Sequence, residues 1–298
     1  MNVNKIHQLA YLSLILVWGT TWVAIKVSIG DTPFFGAGLR FLIAGITLVI
    51  FQFARKKSLK ISSGSWPLII ALILGNFFVG YACTYTGMRF IYSNLSSLIW
   101  AIMPVTVSFF AHFMLKNERF NLPRILSLGL SVVGLFLFFD LKKGSVDAYF
   151  AFGVLITVLG VLAASFANVY YKKHVMNTHD AVVINAFSMI IASLIHFFIA
   201  FIFEDVSSFP FTSNNILAIL YLAIMGSSYT FVVFFKLIRH FPVVTMSYMT
   251  FVIPIVAVMM GWFFLGEDLS AMTLVGAGFI LAGVLFPSIY TRFLHQIV

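Results

Sequence analysis

The chain has 298 residues, of which 61% are hydrophobic and only 9% charged, with a formal net charge of +9; its mean hydropathy is +1.05. Soluble domains carry roughly 25% charged residues, so this chain cannot cover its surface with polar groups in water, and a soluble fold is excluded. The basic excess calls for no nucleic-acid partner, because its placement follows membrane topology, and the single cysteine, Cys83, excludes an intramolecular disulfide and reads as a packed thiol.

Runs of about 20 apolar residues cross a bilayer as helices, since hydrocarbon offers the backbone no hydrogen-bond partner. Ten such runs predict helices over 8–30, 34–53, 66–88, 93–115, 122–139, 149–171, 181–203, 215–238, 243–265 and 270–291, an all-α integral membrane fold. The fifth is short. Pro33, Pro67, Pro123 and Pro242 fall near predicted starts, where proline is tolerated in the first turn. The first run is too long for a signal peptide and lacks a small-residue cleavage site, so it reads as a retained helix. Short connections make consecutive helices antiparallel neighbours.

Lys and Arg mark the cytoplasmic side. With the N-terminus inside, Lys5, Arg55, Lys56, Lys57, Lys60, Lys116, Arg119, Arg124, Lys172, Lys173, Lys236, Arg239 and Arg292 fall in the cytoplasm. Lys26, Arg40, Arg89, Lys142 and Lys143 fall outside. The arrangement predicts a multi-pass protein of the inner (cytoplasmic) membrane with both termini cytoplasmic.

One stretch is written twice. Arg239 stands 15 residues before Pro254, as Arg89 does before Pro104, and Ser247 and Ser97 each stand seven before that proline. Glu267 and Glu118 are each followed by glycine at +11 (Gly278, Gly129) and at +16 (Gly283, Gly134). This repeat divides the chain into halves 1–144 and 145–298. Each half holds five helices, an odd number, so the second copy enters the membrane from the opposite side. Two inverted five-helix repeats support alternating access around a central site. A duplicated scaffold, as in some channels, is the other reading.

These segments resemble a ten-helix EamA-type member of the drug/metabolite transporter superfamily over nearly the whole chain. WGTTWVAIKVS (Trp18 to Ser28) and GLRFLIAG (Gly38 to Gly45) are similar to the opening of that family. MRFIYSNLSSLIWAIMPV and GWFFLGEDLSAMTLVGAGFILAGVLF are similar to its third-to-fourth and ninth-to-tenth helix signatures. The resemblance implies export, or in some relatives uptake, of small metabolites through a cavity lined by both halves. Two departures stand out: KNER (Lys116 to Arg119) lacks the family's glycine before the glutamate, and SFANVYYKK (Ser165 to Lys173) lacks a tryptophan common there. Both leave the substrate open.

Polar residues inside spans are costly and face a bundle interior or a wet cavity. On the fourth helix Asn94, Ser97, Ala101, Pro104 and Ser108 form one stripe, and Ser247, Phe251, Pro254 and Val258 form its counterpart on the ninth, with Tyr248 beside it. Pro104 and Pro254 either bend their helices or free the Trp100 and Thr250 carbonyls for a ligand. Ser97 and Ser247 serve cavity lining or helix–helix hydrogen bonds. Tyr81 and Tyr85, one turn apart, and Tyr229 on the eighth helix suit an amphipathic metabolite. Trp18, Thr21 and Trp22 lie along the first helix, with Asn168 in the place of Thr21 in the second half. Packing is the competing role for each aromatic in a chain with 35 Phe.

Lys26 either snorkels to outer headgroups, with Asp31 as partner, or lines an exit vestibule for anionic groups. Every basic residue is expected near a helix end, which favours neutral or zwitterionic substrates, amino acids first, over an exchanger of anionic nucleotide derivatives. His196 is the candidate for proton coupling, although a lone membrane histidine is more often a packed hydrogen-bonding residue, as is His112. Carboxylates all fall in loops or at helix ends, which points to a facilitator or exchanger. The glycine pairs, and Gly153, Gly160, Ala163, Ala164 and Ala167 on the sixth helix, read as close-packing faces. The N-L-S sequon at Asn94 abuts the membrane and is discounted. No H-E-x-x-H, G-x-S-x-G, paired mid-span aspartates or metal-spaced Cys/His cluster is present, so no catalytic residue, metal or cofactor is expected. A channel filter of charged rings is not visible either. The expected partners are a small-molecule substrate and the lipid bilayer, with the chain as monomer or homodimer.

Overall fold

The computed structural model describes residues 3–28, 32–91, 93–138, 148–175, 180–265 and 271–297, and all the regular structure among them is helical. Ten helices succeed one another in chain order among these residues. They are α1 (Val3–Ser28), α2 (Pro33–Ala54), α3 (Ser63–Gly87), α4 (Ser93–Ala101 continued by Met103–Met114), α5 (Leu122–Phe138), α6 (Ala148–His174), α7 (Ala181–Phe203), α8 (Ser213–Leu237), α9 (Val243–Ser247 continued by Met249–Leu265) and α10 (Ala271–Ile297). Six of them, α2, α3, α4, α6, α7 and α8, are each long and apolar enough to cross a bilayer, and α5, α9 and α10 add shorter apolar stretches. The predicted spans match these helices one for one, with ends that differ by up to about six residues.

The burial pattern is that of a membrane protein. Leu9, Leu12 and Leu16 on α1, Ile46, Ile50 and Phe53 on α2, and Phe198, Phe201 and Ile202 on α7 are exposed, each set on one face. Ser165, Asn185, Ser188, His196, Ser227 and Thr230 are instead fully buried. Lipid tails are as apolar as leucine, so helices here associate through close packing and hydrogen bonds rather than hydrophobic gain.

The contacts run chiefly between the halves. α2 packs along α7 and α5 along α10; α1 packs on α8 and α9, and α6 on α3 and α4. Each first helix of a half is thus clasped by the third and fourth helices of the other. Small residues set these distances. A Cβ on Gly134 would lie 2.7 Å from the Ile280 nitrogen and 2.8 Å from the Gly276 carbonyl oxygen. Its repeat partner Gly283 meets Ser131, and its carbonyl accepts from Ser127 Oγ at 2.6 Å. Gly129 and Gly278, the other members of the glycine pairs, have nothing within 4 Å of an added Cβ, so they do not make the close packing expected of them. The small face of α6 meets α3, where Gly160 lies against Gly80 and Cys83; that cysteine is a half-buried free thiol.

Four helices are not uniform. α3 and α8 each contain a π-helical segment, Ile73–Gly80 and Ile224–Tyr229, at matching places in the two halves. α4 is interrupted at Ile102, two residues before Pro104. α9 is interrupted at Tyr248, six residues before Pro254, which itself sits inside Met249–Leu265. The two interruptions therefore do not occupy equivalent positions.

The loop glutamate of the first repeat is not a solvated loop residue. Glu118 is buried, and its two carboxylate oxygens accept from the backbone nitrogens of Val243 (3.0 Å) and Val244 (3.1 Å). Those are the first N–H groups of α9, which have no partner within the helix. Lys172 on α6 sits beside the same turn, and its Nζ donates to the carbonyls of Ile238 (2.6 Å) and Phe241 (3.0 Å) at the end of α8. A carboxylate on a helix start and an ammonium on a helix end each match the helix dipole. Glu204 does the same for α2, accepting from Phe34 and Phe35 nitrogens at 2.8 and 2.9 Å.

Candidate functional site

A cavity of about 130 Å³ lies where α1, α3, α4, α8 and α9 meet, with Asn168 contributed by α6. That is roughly ten times the space that one water needs. The π segment of α3 borders it through Asn76. A π turn passes its hydrogen bond to the fifth residue on, which displaces carbonyls from the regular ladder and recurs at functional sites. Here one carbonyl of each π segment accepts from the opposite half. The Gly226 carbonyl of α8 accepts from Trp18 Nε1 (3.4 Å) and Arg40 Nη2 (3.2 Å). The Phe77 carbonyl of α3 accepts from His196 Nε2 at 2.9 Å.

That bond defines the role of His196. A carbonyl can only accept, so Nε2 carries a proton and the ring serves as a hydrogen-bond donor. The ring is fully buried against Phe41 (5.9 Å) and Phe78 (5.2 Å), and it does not line the cavity.

The wall is apolar with polar points. Trp18, Trp22 and Trp100, Phe231 and Phe234, and the methionines Met88, Met103, Met246 and Met249 form its bulky part. Methionine is unbranched and polarisable, which suits ligands of varied shape. Thr21, Tyr81, Tyr85, Ser97, Asn168 and Ser247, expected at a cavity from the sequence, line this one, as does Pro254, expected as a helix bend. Several spend their hydroxyl proton on their own helix: Thr21 Oγ1 donates to the Trp18 carbonyl and Ser247 Oγ to that of Val244, both at 2.7 Å. Their oxygens keep free lone pairs. Asn168 Oδ1 accepts from Asn76 Nδ2 at 3.1 Å, and Trp100 Nε1 donates to Thr84 Oγ1 at 2.8 Å.

Other expected residues stand elsewhere. Tyr229 is 37% exposed on the outer surface of the bundle, with its hydroxyl 2.7 Å from Ser13 Oγ. Tyr248 is buried behind the wall, 3.2 Å from Ser127 Oγ. Pro104, expected as a helix bend, follows the interruption of α4 at Ile102 and lies outside the lining. The Asn94 and Lys26 side chains and Asp31, Glu267 and Asp268 lie outside the described residues.

Asn76 and Thr84 were missed, although a polar residue inside an apolar span is itself the signal that marks them, and Trp100 was expected through its carbonyl rather than its ring. The larger correction concerns Arg40. Expected near the outer end of its helix, it is the eighth residue of α2, about 10 Å along at 1.5 Å per residue, and only 2% exposed. Its Nε donates to Ser227 Oγ (2.8 Å) and its Nη2 to Tyr81 Oη (3.0 Å). Ser227 and the Gly226 carbonyl of the opposite half, with Tyr81 of its own, receive it, so it has no need to reach the headgroups.

Comparisons place this geometry among known proteins. The EamA-like transporter family model matches twice, over residues 6–140 and 151–289. The uncharacterized transporter YoaV of Bacillus subtilis (strain 168) is 30% identical over 283 residues, covering 93% of this chain and 94% of that protein. PagO of Salmonella typhimurium is 24% identical across 90% of this chain and 88% of its own length. The WAT1-related chloroplastic protein At3g02690 of Arabidopsis thaliana is 28% identical over 92% of this chain and 67% of its own. A solved crystal structure superposes with a TM-score of 0.82 at 16% identity, covering 97% of this chain and 99% of that one, which shows the shared fold. With this duplicated match over a ten-helix membrane fold, the chain belongs to the EamA-like transporter family and is a multi-pass membrane transporter.

Proposed function

We propose that this transporter carries a small polar or amphipathic metabolite, amino-acid-like in the first instance, out across the cytoplasmic membrane by alternating access. The observation that carries the reading is the cavity itself. It is enclosed by helices of both halves, and an aromatic and methionine wall holds a few fixed polar groups, the composition of a small-molecule site. The double family match supports the halves 1–144 and 145–298 as the two five-helix repeats. The Lys and Arg distribution supports cytoplasmic termini. An exchanger of anionic metabolites is the second reading, and buried Arg40 is the observation that favours it.

Counterflow of labelled amino acids and nucleobases into liposomes holding the purified protein tests the proposal. Saturable exchange is expected for at least one of them. Ser97→Trp, which fills the lining, should stop that flux while membrane abundance stays near normal. Flux that rises linearly with concentration would replace the carrier by a pore, and loss of folded protein would reassign Ser97 to packing.

A further inference from the structure

Arg40 is a permanent charge in the bundle interior, and its protein partners do not neutralise it. A guanidinium keeps its proton and offers five N–H donors. Nε and Nη2 go to Ser227 Oγ, the Gly226 carbonyl and Tyr81 Oη, none of which carries a formal charge. Nη1 is buried without a hydrogen-bond partner, and among the described residues no carboxylate pairs with this side chain. A buried charge without a counter-ion is costly in a membrane interior. A staple between α2, α3 and α8 would need only neutral donors.

We propose that the Tyr81–Tyr85 end of the cavity binds a carboxylate of the substrate, with Arg40 as the fixed counter-charge behind it. The inference rests on the carrier reading above and names the anionic group that such a substrate presents. Tyr81 and Tyr85 both line the cavity, with ring centroids 5.7 Å apart edge to face. The Arg40 guanidinium carbon lies 4.8 Å from the Tyr81 ring centroid. Because the Tyr81 oxygen accepts from Arg40, the Tyr81 hydrogen points away from the cation and is free to donate. A phenol polarised in this way favours an acceptor that carries negative charge.

One fixed charge matches a monoanion. No Lys, Arg, Asp or Glu lines the cavity among the described residues, so a phosphate dianion would stay uncompensated there. Thr21 and Ser247 also line the cavity, and their free lone pairs suit an ammonium group. An α-amino acid carries both groups.

Binding can be read without transport, because Trp18, Trp22 and Trp100 line the cavity and report occupancy through their fluorescence. The probes are acid–amide pairs (alanine and alaninamide, leucine and leucinamide, lactate and lactamide), with glycerol 3-phosphate as the more highly charged competitor, titrated into the purified full-length protein. The wild type should prefer the acid of a pair by about ten-fold, the worth of one charge-assisted hydrogen bond. Arg40→Gln should bring the pair to within about two-fold, and Arg40→Lys should retain part of the preference. Equal affinities in the wild type, or a preference that survives Arg40→Gln in monodisperse protein, would overturn the inference. Tighter binding of glycerol 3-phosphate than of any acid would do the same. Where Arg40→Gln does not fold, Tyr81→Phe decides: acid affinity should fall by more than amide affinity, and equal losses refute the proposal. Failure of every probe to bind or to be exchanged would bring down the carrier reading itself, a result distinct from binding without acid preference.

Discussion

Replacing Glu118 tests whether the turn between α8 and α9 is held by charge from the other half. The carboxylate accepts two backbone N–H groups at 3.0 and 3.1 Å and is 6% exposed. Hydrogen bonds to a charged group contribute about 1.5–3 kcal/mol each, and a buried donor left without a partner costs a similar amount. Glu118→Gln keeps one acceptor oxygen and turns an NH₂ toward the second N–H, so it should cost about 1.5–3 kcal/mol. Glu118→Ala leaves both donors bare and should cost about 3–6 kcal/mol. For a chain of this size 1 kcal/mol shifts the midpoint by about 2 °C, so the expected drops are about 3–6 °C and 6–12 °C. Thermal unfolding in detergent, followed by monodispersity, reads them. Both variants melting within about 1 °C of wild type would refute the reasoning, and would mean that water serves the start of α9 as well as the carboxylate does.

His196→Ala should lower stability by about 1–3 kcal/mol, because the Phe77 carbonyl loses its donor, while His196→Gln, which keeps an N–H, should recover part of the loss in the same melting assay. Flux per folded molecule should stay independent of an imposed pH gradient in both. Uphill substrate accumulation driven by that gradient in the wild type and abolished in His196→Ala would make the histidine the coupling site and end the facilitator reading. A reporter active only in the cytoplasm should work when fused after Val298 or in the 55–60 loop and fail in the 140–148 loop; an external C-terminus would contradict the inverted repeat.

The sequence alone determined the ten helices, the membrane setting and the duplication. In hydrocarbon each span must satisfy its own backbone, so an apolar run of sufficient length settles its own structure without reference to its neighbours. It also marked much of the cavity, since Thr21, Ser97, Asn168 and Ser247 are polar residues in apolar runs that have few places to go.

Only the tertiary structure decided which way side chains point beyond an irregular turn, and which groups receive them. Helical periodicity counted along α8 assumes 3.6 residues per turn, whereas the π segment Ile224–Tyr229 adds a residue to the turn and rotates the helix beyond it. Tyr229, at the end of that segment, therefore faces outward to Ser13, while Tyr81, just past the longer π segment of α3, faces the cavity. Neither segment carries a composition signature, because its displaced carbonyls are satisfied by Arg40, Trp18 and His196 from distant parts of the chain. Arg40 was misplaced for the same reason. Position along a helix fixes depth, but burial of a charge depends on partners across the bundle. Ser227, Gly226 and Tyr81 come together around it only when the two halves interlock.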